Sequence, residues 1–400
     1  MRIIAIVLSL LLQACGEEKK LEDASVSSPT EVVPTETRYP EGSQPGGGCL
    51  SDCSPLESLR FDFGPDISLA LIDCKVLDYQ AFPLAGKYQL ILRANCLQGI
   101  QVYSVSYDLN GTLLTTPTVL SAPCASSFKD IKGFVAASIG TEIGVAYSCL
   151  TSSTLAKTWF SKVGETPVVI ESFTPSYVDS DYDLKAAWND EAQILAVASK
   201  RGLIRLNGQG VQLGGMVNLN LSKPIQSLSH VAGQWFVISR ESYAYVGTRS
   251  YCSKVLSNGQ VACDKKEFGG PWTRIASNNL VLQGVTSYTS SVSFAISAFN
   301  PETCSIGPAQ DMGSQVQSNF ELQNAGYFKT GIGWALSSSD GSNPGLTLNL
   351  YELHLAGKIQ STLAVADGDL SHAQAIPKGN GLAVFYLDSF GNVHLRKGDL

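Results

Sequence analysis

The chain has 400 residues, of which 16% are charged and 44% are hydrophobic, and its formal net charge is −7. Basic residues form no run longer than a pair such as Lys19-Lys20, which argues against a basic nucleic-acid-binding surface. Glycine is abundant, with 37 residues, and Ser, Thr and Val are also frequent. This balance is typical of many short strands joined by turns.

The N-terminus has the layout of a secretory signal peptide. Residues 1–14 read MRIIAIVLSLLLQA, with one positive charge before an apolar core that is too short to span a bilayer. The segment Leu12-Gln13-Ala14-Cys15 resembles the lipobox of bacterial lipoproteins. The resemblance implies that Cys15 carries a diacylglyceryl thioether and an N-acyl chain such as palmitate. A plain secretory leader that contains a cysteine is the alternative.

The expected location of the mature chain follows from the same resemblance. In lipoproteins of Gram-negative bacteria an Asp after the cysteine retains the protein in the inner membrane, and here Gly16 follows it. The resemblance therefore implies lipid anchoring in the outer membrane, on the periplasmic face or at the cell surface. Removal of Arg2 with the leader leaves 27 basic and 35 acidic residues, a net charge of −8.

Residues 15–54 are predicted to be the lipidated cysteine and a disordered tether. The stretch Gly16–Gly48 is rich in Ser, Thr, Glu and Pro, and it has too little apolar surface to offset the entropy lost on ordering. A flexible coil of this length would hold a body on the order of 30 Å from the membrane. Residues 55–400 are predicted to be one folded domain, because repeat folds run as one body at this length.

Short apolar runs recur along this domain with centres about 40 to 55 residues apart, which indicates a repeat. Several of them mix Val and Ile with Ala, Ser or Gly, which predicts strands crowded near the axis of a radial fold. The runs are Tyr88–Ala94, Ile143–Cys149, Ile194–Ser199, Trp235–Ser239, Leu280–Val285, Ile332–Ser337 and Leu382–Leu387.

The last repeat shows how the unit is built. Leu382–Leu387 is an apolar strand that turns through Asp388, Ser389, Phe390 and Gly391 and resumes as Val393–Leu395. Too little chain follows for an outer strand, and Ser58–Ala70 is predicted to supply it from the other end of the domain.

These features predict an all-β fold, a β-propeller of about seven blades in which an N-terminal strand closes the last blade. Closure of this kind removes an exposed sheet edge. Six or eight blades are the alternatives within this fold. Two consecutive β-sandwiches or an irregular β-solenoid are the competing architectures.

The cysteines are predicted to form disulfides, because export leads to an oxidising compartment. The candidate pairs are Cys252 with Cys263, Cys49 with Cys53, Cys74 with Cys96, and Cys124 with Cys149. These pairs leave Cys304 without a partner, and spacing alone does not fix connectivity.

A carboxylate cluster is the one candidate metal site. Asp179, Asp181, Asp183 and Asp190 stand at the first, third, fifth and twelfth positions of an oxygen-lined calcium loop. Leu184 occupies the position at which such loops need glycine, and a solvated loop without an ion is the alternative interpretation. No other cofactor is predicted.

No catalytic motif stands out, and the anchor and tether favour a non-catalytic protein-interaction or scaffold module with an envelope or surface protein as its partner. The layout is similar to that of the propeller lipoprotein of the outer-membrane barrel-assembly machinery, but that family's Trp-containing repeat is not evident. The alternative is a protein that binds envelope or surface glycan, or a polysaccharide hydrolase or lyase with carboxylates at the mouth of the propeller channel.

Overall fold

The fold was analysed in a computed structural model. It describes residues 61–399 except for 70–73, 121–123, 125–129, 177–181, 220, 222–224, 244–246, 269–271, 278–279, 287–291, 309, 316–319, 328–331, 340–343, 353–358, 369 and 379–380. Within these residues the protein is all-β, with strands that form small antiparallel sheets. No helix in this part of the chain is long and apolar enough to cross a membrane.

Seven sheets follow one another along the described part of the chain, and we number them in that order. Sheet 1 contains β3 (Lys75–Leu84), β4 (Lys87–Cys96), β5 (Gly99–Asp108) and β6 (Thr118–Val119). Sheet 2 contains β7 (Ile131–Ile139), β8 (Glu142–Leu150), β9 (Ala156–Lys162) and β10 (Val168–Phe173). Sheet 3 contains β11 (Leu184–Asn189), β12 (Ile194–Ser199) and β13 (Gly202–Asn207).

The remaining sheets repeat this meander. Sheet 4 contains β14 (Ile225–Val231), β15 (Gln234–Tyr243), β16 (Gly247–Val255) and β17 (Val261–Glu267). Sheet 5 contains β18 (Trp272–Ser277), β19 (Leu280–Thr286), β20 (Val292–Asn300), β21 (Ser305–Ile306) and β22 (Gln310–Gln315). Sheet 6 contains β23 (Phe320–Tyr327), β24 (Ile332–Ser339), β25 (Gly345–Glu352) and β26 (Ile359–Asp367). Sheet 7 contains β27 (Leu370–Lys378), β28 (Gly381–Asp388) and β29 (Val393–Asp399), joined by β1 (Asp62–Phe63) and β2 (Ile67–Leu69).

The N-terminal strands complete the last sheet, as the sequence predicts. In β1, Asp62 pairs with Asp399, and in β2 Ile67 pairs with Leu395. Both pairings are antiparallel and cover β29, which would otherwise be the open edge of the sheet. The ends of the described chain are therefore held together by main-chain hydrogen bonds.

The seven apolar runs are the second strands of the seven sheets. Their burial explains their composition: β8 and β28 are buried along nearly their whole length, so both faces of each strand lie against other residues. Contacts from one sheet to the next are made by the first strands, such as β3 with β7 and β7 with β11. Burial along β3 alternates between buried and partly buried residues.

The hydrophobic core is divided into layers between consecutive sheets. Separate clusters lie between sheets 1 and 2, 2 and 3, 3 and 4, and 4 and 5. Two more lie between sheets 6 and 7 and between sheets 7 and 1. In the last of these, Tyr88 of sheet 1 packs edge-on against Phe385 of sheet 7 with ring centroids 5.1 Å apart. The first and last sheets are thus packed face to face like the others.

Contacts between first strands follow the same order. β3 contacts β7, β7 contacts β11, β11 contacts β14, β14 contacts β18, β18 contacts β23, β23 contacts β27, and β27 returns to β3. The order of contacts among the first strands is therefore cyclic.

Candidate interaction surface

Each sheet has two ends, and we name the upper edge as the end at which the first strand begins and the second strand turns into the third. The opposite end is the lower edge. In sheets 7, 1 and 2 the upper-edge turns are residues 389–392, 97–98 and 151–155. The antiparallel register of these sheets fixes this placement.

Hydrogen bonds between sheets show that these three upper edges lie on one side of the molecule. The amide of Val76, at the start of β3, donates to the carbonyl of Gly391 in the sheet 7 turn at 3.1 Å. The amide of Ile100, just after the sheet 1 turn, donates to the Asp130 carboxylate before β7 at 3.1 Å. The three turns are therefore neighbours on one surface.

Each of the three turns presents an apolar side chain to solvent. Leu97 is completely exposed, Phe390 is 79% exposed and Leu155 is 37% exposed. A single exposed apolar residue is ordinary. Three of them on the corresponding turns of consecutive sheets make this edge a candidate interaction surface.

The position of Phe390 is set by the turn that carries it. One carboxylate oxygen of Asp388 accepts hydrogen bonds from the amides of Phe390 and Asn392, at 2.9 and 2.8 Å. Gly391 has a φ of 90°, which glycine adopts without strain. The turn is thus ordered by its own sequence, as the pattern of this segment predicts.

Two carboxylates near this edge accept hydrogen bonds from backbone amides. Asp130 accepts the Ile100 amide, as above, and Asp78 accepts the amide of Tyr79 at 2.8 Å. Lys75 and Lys132 are exposed beside these turns. The Asp78 side chain is also partly exposed, so charges of both signs are accessible at this edge.

A histidine holds the N-terminal segment to sheet 7. Nδ1 of His394 lies 3.1 Å from the carboxylate of Asp66, which precedes β2, and Nε2 lies 3.2 Å from the carboxylate of Asp388. The imidazole stacks on Tyr386, with centroids 5.0 Å apart and planes 7° apart. Burial and then a hydrogen bond to Asp66 raise the pKa of Tyr386, so this hydroxyl stays protonated. The cluster fastens the closing strand rather than forming an open site.

Glutamine side chains join the first strands of neighbouring sheets. Gln374 on β27 accepts the amide of Ala81 on β3 at 2.8 Å and donates to the carbonyl of the same residue at 2.8 Å. Gln80 on β3 accepts the amide of Ala136 on β7. These bonds cross the joins between sheets 7, 1 and 2, where no main-chain ladder runs.

The predicted disulfides agree with the structure in two cases and differ in one. Cys74 is bonded to Cys96, and Cys124 is bonded to Cys149, as predicted. Cys252 is bonded to Cys304 and not to Cys263. The predicted pair Cys49 and Cys53, like Cys15, lies outside the described residues.

A β-bulge explains the wrong pairing. Cys252 on β16 pairs with Lys266, while Cys263 pairs with Lys254, so the two cysteines are not opposite each other. Lys265, whose φ is 54°, lies in the bulge that accommodates the extra residue of β17. The turn that carries Cys304 packs against this hairpin from sheet 5, and the bond therefore joins sheets 4 and 5.

The calcium prediction does not hold for all four carboxylates together. Asp183 precedes β11 and Asp190 follows it, so an extended strand separates them by roughly 20 Å, whereas Ca²⁺ binds its ligands at about 2.3–2.6 Å. Asp190 instead accepts a hydrogen bond from Nε1 of Trp188 at 2.6 Å. Asp179 and Asp181 lie outside the described residues, and in the rest of the described chain no group of three metal-ligating side chains occurs.

Phe390 was predicted to lie in a turn, but Leu97 and Leu155 were not singled out from the sequence. Leu97 and Leu155 each follow an apolar run by a few residues, as Phe390 does. That spacing is the signal that would have placed all three on equivalent turns.

Comparisons with known proteins give no family. No protein-family model matches the chain, and no curated protein matches it. Among solved structures, the chain is similar to the crystal structure of a protein of unknown function from Dyadobacter fermentans DSM 18053. The two are 9% identical with a TM-score of 0.47, over 85% of this chain and 99% of that chain.

Proposed function

We propose that the described body is a seven-bladed β-propeller that serves as a non-catalytic protein-interaction scaffold in the cell envelope. In this proposal a lipid on Cys15 anchors the chain in the outer membrane, and residues 16–60 connect the anchor to the body. The partner is an envelope or surface protein.

The cyclic order of the sheets is the observation that carries the proposal. Seven sheets whose first strands contact one another in a closed order, with described core layers between six of the seven neighbouring pairs, are typical of a propeller. The pairing of β1 (Asp62–Phe63) and β2 (Ile67–Leu69) with the last strand of sheet 7 supports the same architecture. Two separate sandwiches would leave sheets 7 and 1 out of contact.

The use of polar side chains within the ring supports binding over catalysis. Gln80 and Gln374 on the first strands are bonded to the main chain of the next sheet, so they hold the ring together. Exposed side chains lie on the turns at the two edges, where scaffold folds commonly carry their recognition residues. Recognition through these turns needs no reactive centre.

A pull-down after cross-linking in intact membranes tests this function. Tagged wild-type protein should capture a reproducible envelope protein, and the C15S variant, which cannot be lipidated, should capture much less of it. Labelling with a palmitate analogue should mark the wild type and not C15S. If neither form captures a protein above background, the proposal is contradicted.

One observation favours the alternative, a glycan-binding protein or glycan hydrolase. Nε2 of His372 on β27 lies 3.7 Å from the Asp78 carboxylate on β3, and both side chains are partly exposed at the upper ends of adjoining first strands. A glycan array would detect such a site. Binding that is lost in D78N would support the glycan function, and a blank array beside a captured protein would reject it.

A further inference from the structure

We propose that Asn110 is an N-glycosylation site, at which an oligosaccharide is joined to the side-chain amide nitrogen. Asn110, Gly111 and Thr112 form the acceptor pattern Asn-x-Thr, which is typical of a glycosylated surface loop in an exported protein. The proposal rests on the proposed function only for the export of the chain. The site itself is defined by described residues of sheet 1.

The structure places this pattern on an exposed turn at the lower edge of sheet 1. The turn follows β5, and one carboxylate oxygen of Asp108 accepts the amides of Asn110 and Thr112, each at 2.8 Å. The amide of Gly111 donates to the Asp108 carbonyl at 3.1 Å, and its φ is 86°. Asn110 and Thr112 are both exposed, so the two side chains that define the pattern lie on the outside of the fold.

The side-chain amide nitrogen of Asn110 is available for reaction. The Lys397 ammonium lies 3.5 Å from the side-chain oxygen, and among the described residues no hydrogen bond holds the side-chain nitrogen. Because the backbone amides of Asn110 and Thr112 donate to Asp108, they do not compete for the Asn110 side chain. The turn is therefore ordered without using the group that would be modified.

The transfer needs one co-reactant, a polyprenyl-diphosphate-linked oligosaccharide. The Asn110 amide nitrogen forms a bond to the anomeric carbon of the sugar, and the bond from that carbon to the diphosphate oxygen breaks. The diphosphate leaves with the electron pair, and the nitrogen gives up one of its two protons to a base of the transferring enzyme. The acceptor pattern admits Ser or Thr at its third position, so the Thr112 hydroxyl is the group by which the enzyme recognises the site.

A second match to the pattern differs in its exposure. Asn220, Leu221 and Ser222 read Asn-x-Ser, and Asn220 and Ser222 lie outside the described residues. Leu221 is buried in the core layer between sheets 3 and 4. Because the enzyme must reach all three residues of an acceptor together, we expect Asn220 to stay unmodified.

The surroundings of Asn110 suit a bulky polar group. Leu113 and Leu114, directly after the pattern, are 43% and 53% exposed. The other side of the turn lies against the closing strand, because a Cβ on Gly111 would come within 2.9 Å of Ile67 in β2. An oligosaccharide on Asn110 therefore lies beside two exposed apolar side chains, near the join between sheets 7 and 1, and leaves the upper edge open to a partner.

Mass spectrometry of the full-length chain tests the site. Protein isolated from the membranes of its own cells should carry an oligosaccharide on the peptide that contains Asn110. In a Gram-negative host supplied with an oligosaccharyltransferase and its polyprenyl-diphosphate oligosaccharide, N110Q and T112V should lose the modification, and T112S, which keeps the hydroxyl, should retain it. N220Q is the matched control and should be modified as the wild type is.

Three results would overturn the proposal. These are an unmodified Asn110 peptide from the protein's own cells, a modification that persists in T112V, and equal modification of Asn220. Melting temperatures of N110Q and T112V should match that of the unmodified wild type, which shows that a lost glycan is not a lost fold. Failure of the pull-down alone would count against the scaffold function and leave the glycan result intact. Absence of the glycan from a chain that captures its partner would count against this site alone.

Discussion

Removing the bond between Cys252 and Cys304 should destabilise the protein more than altering the cysteine beside it. The bond closes a loop of 52 residues, for which the chain-entropy relation gives about 4 kcal/mol at 25 °C. It also joins sheets 4 and 5, whose common core includes both cysteines. The C252S/C304S variant should therefore lose about 4 kcal/mol of unfolding free energy.

The control is C263S, which leaves that bond in place. Cys263 is buried in the same cluster, so placing a hydroxyl there should cost about 1–2 kcal/mol. Urea unfolding at 25 °C measures both variants, and a non-reducing peptide map identifies the linked residues. A map that links Cys252 to Cys263, or a larger loss in C263S than in C252S/C304S, would refute the reasoning.

Three further perturbations test individual contacts, two between sheets and one within sheet 7. G133A should lower the melting temperature by several degrees, because an added Cβ would overlap the carbonyl oxygen of Tyr182; an unchanged melting temperature would contradict this contact. Q374A removes two hydrogen bonds to the main chain of Ala81 and should cost about 1–3 kcal/mol in urea unfolding, whereas no loss would mean that the bonds do not form. Burial tends to raise the pKa of Asp388, but hydrogen bonds from Asn392 and His394 outweigh it and lower that pKa below 3.8. Its contribution to stability is therefore present above about pH 4 and lost as the pH falls through the lowered pKa, so D388N should flatten this part of the pH–stability curve.

Much of the fold could be predicted because its signals are local. The second strands β8 and β28 are buried on both faces, so they appear in the sequence as continuous apolar runs such as Leu382–Leu387. The distance between such runs gives the repeat. The missing outer strand of the last repeat predicted the pairing of Ile67–Leu69 with β29.

Features that depend on how sheets meet could not be predicted. The bond between Cys252 and Cys304 requires a bulge at Lys265 and the approach of a turn from the next sheet, and neither leaves a mark in the spacing. The spacing of the calcium motif likewise did not reveal that a strand runs between Asp183 and Asp190. The exposed tips at the upper edge became recognisable only when the strands were assigned to sheets.

Contact between the first and last sheets is the central claim, and a cysteine cross-link across that join tests it most directly. The Lys397 ammonium on β29 lies 3.5 Å from the side-chain oxygen of Asn110, 287 residues earlier in the chain. A short bismaleimide should therefore cross-link N110C/K397C within one folded molecule and fail to do so after unfolding. The pair E142C/K162C, whose native side chains are 2.7 Å apart within sheet 2, is the positive control. Cross-linking of the control pair without cross-linking of N110C/K397C would show that sheets 7 and 1 do not meet.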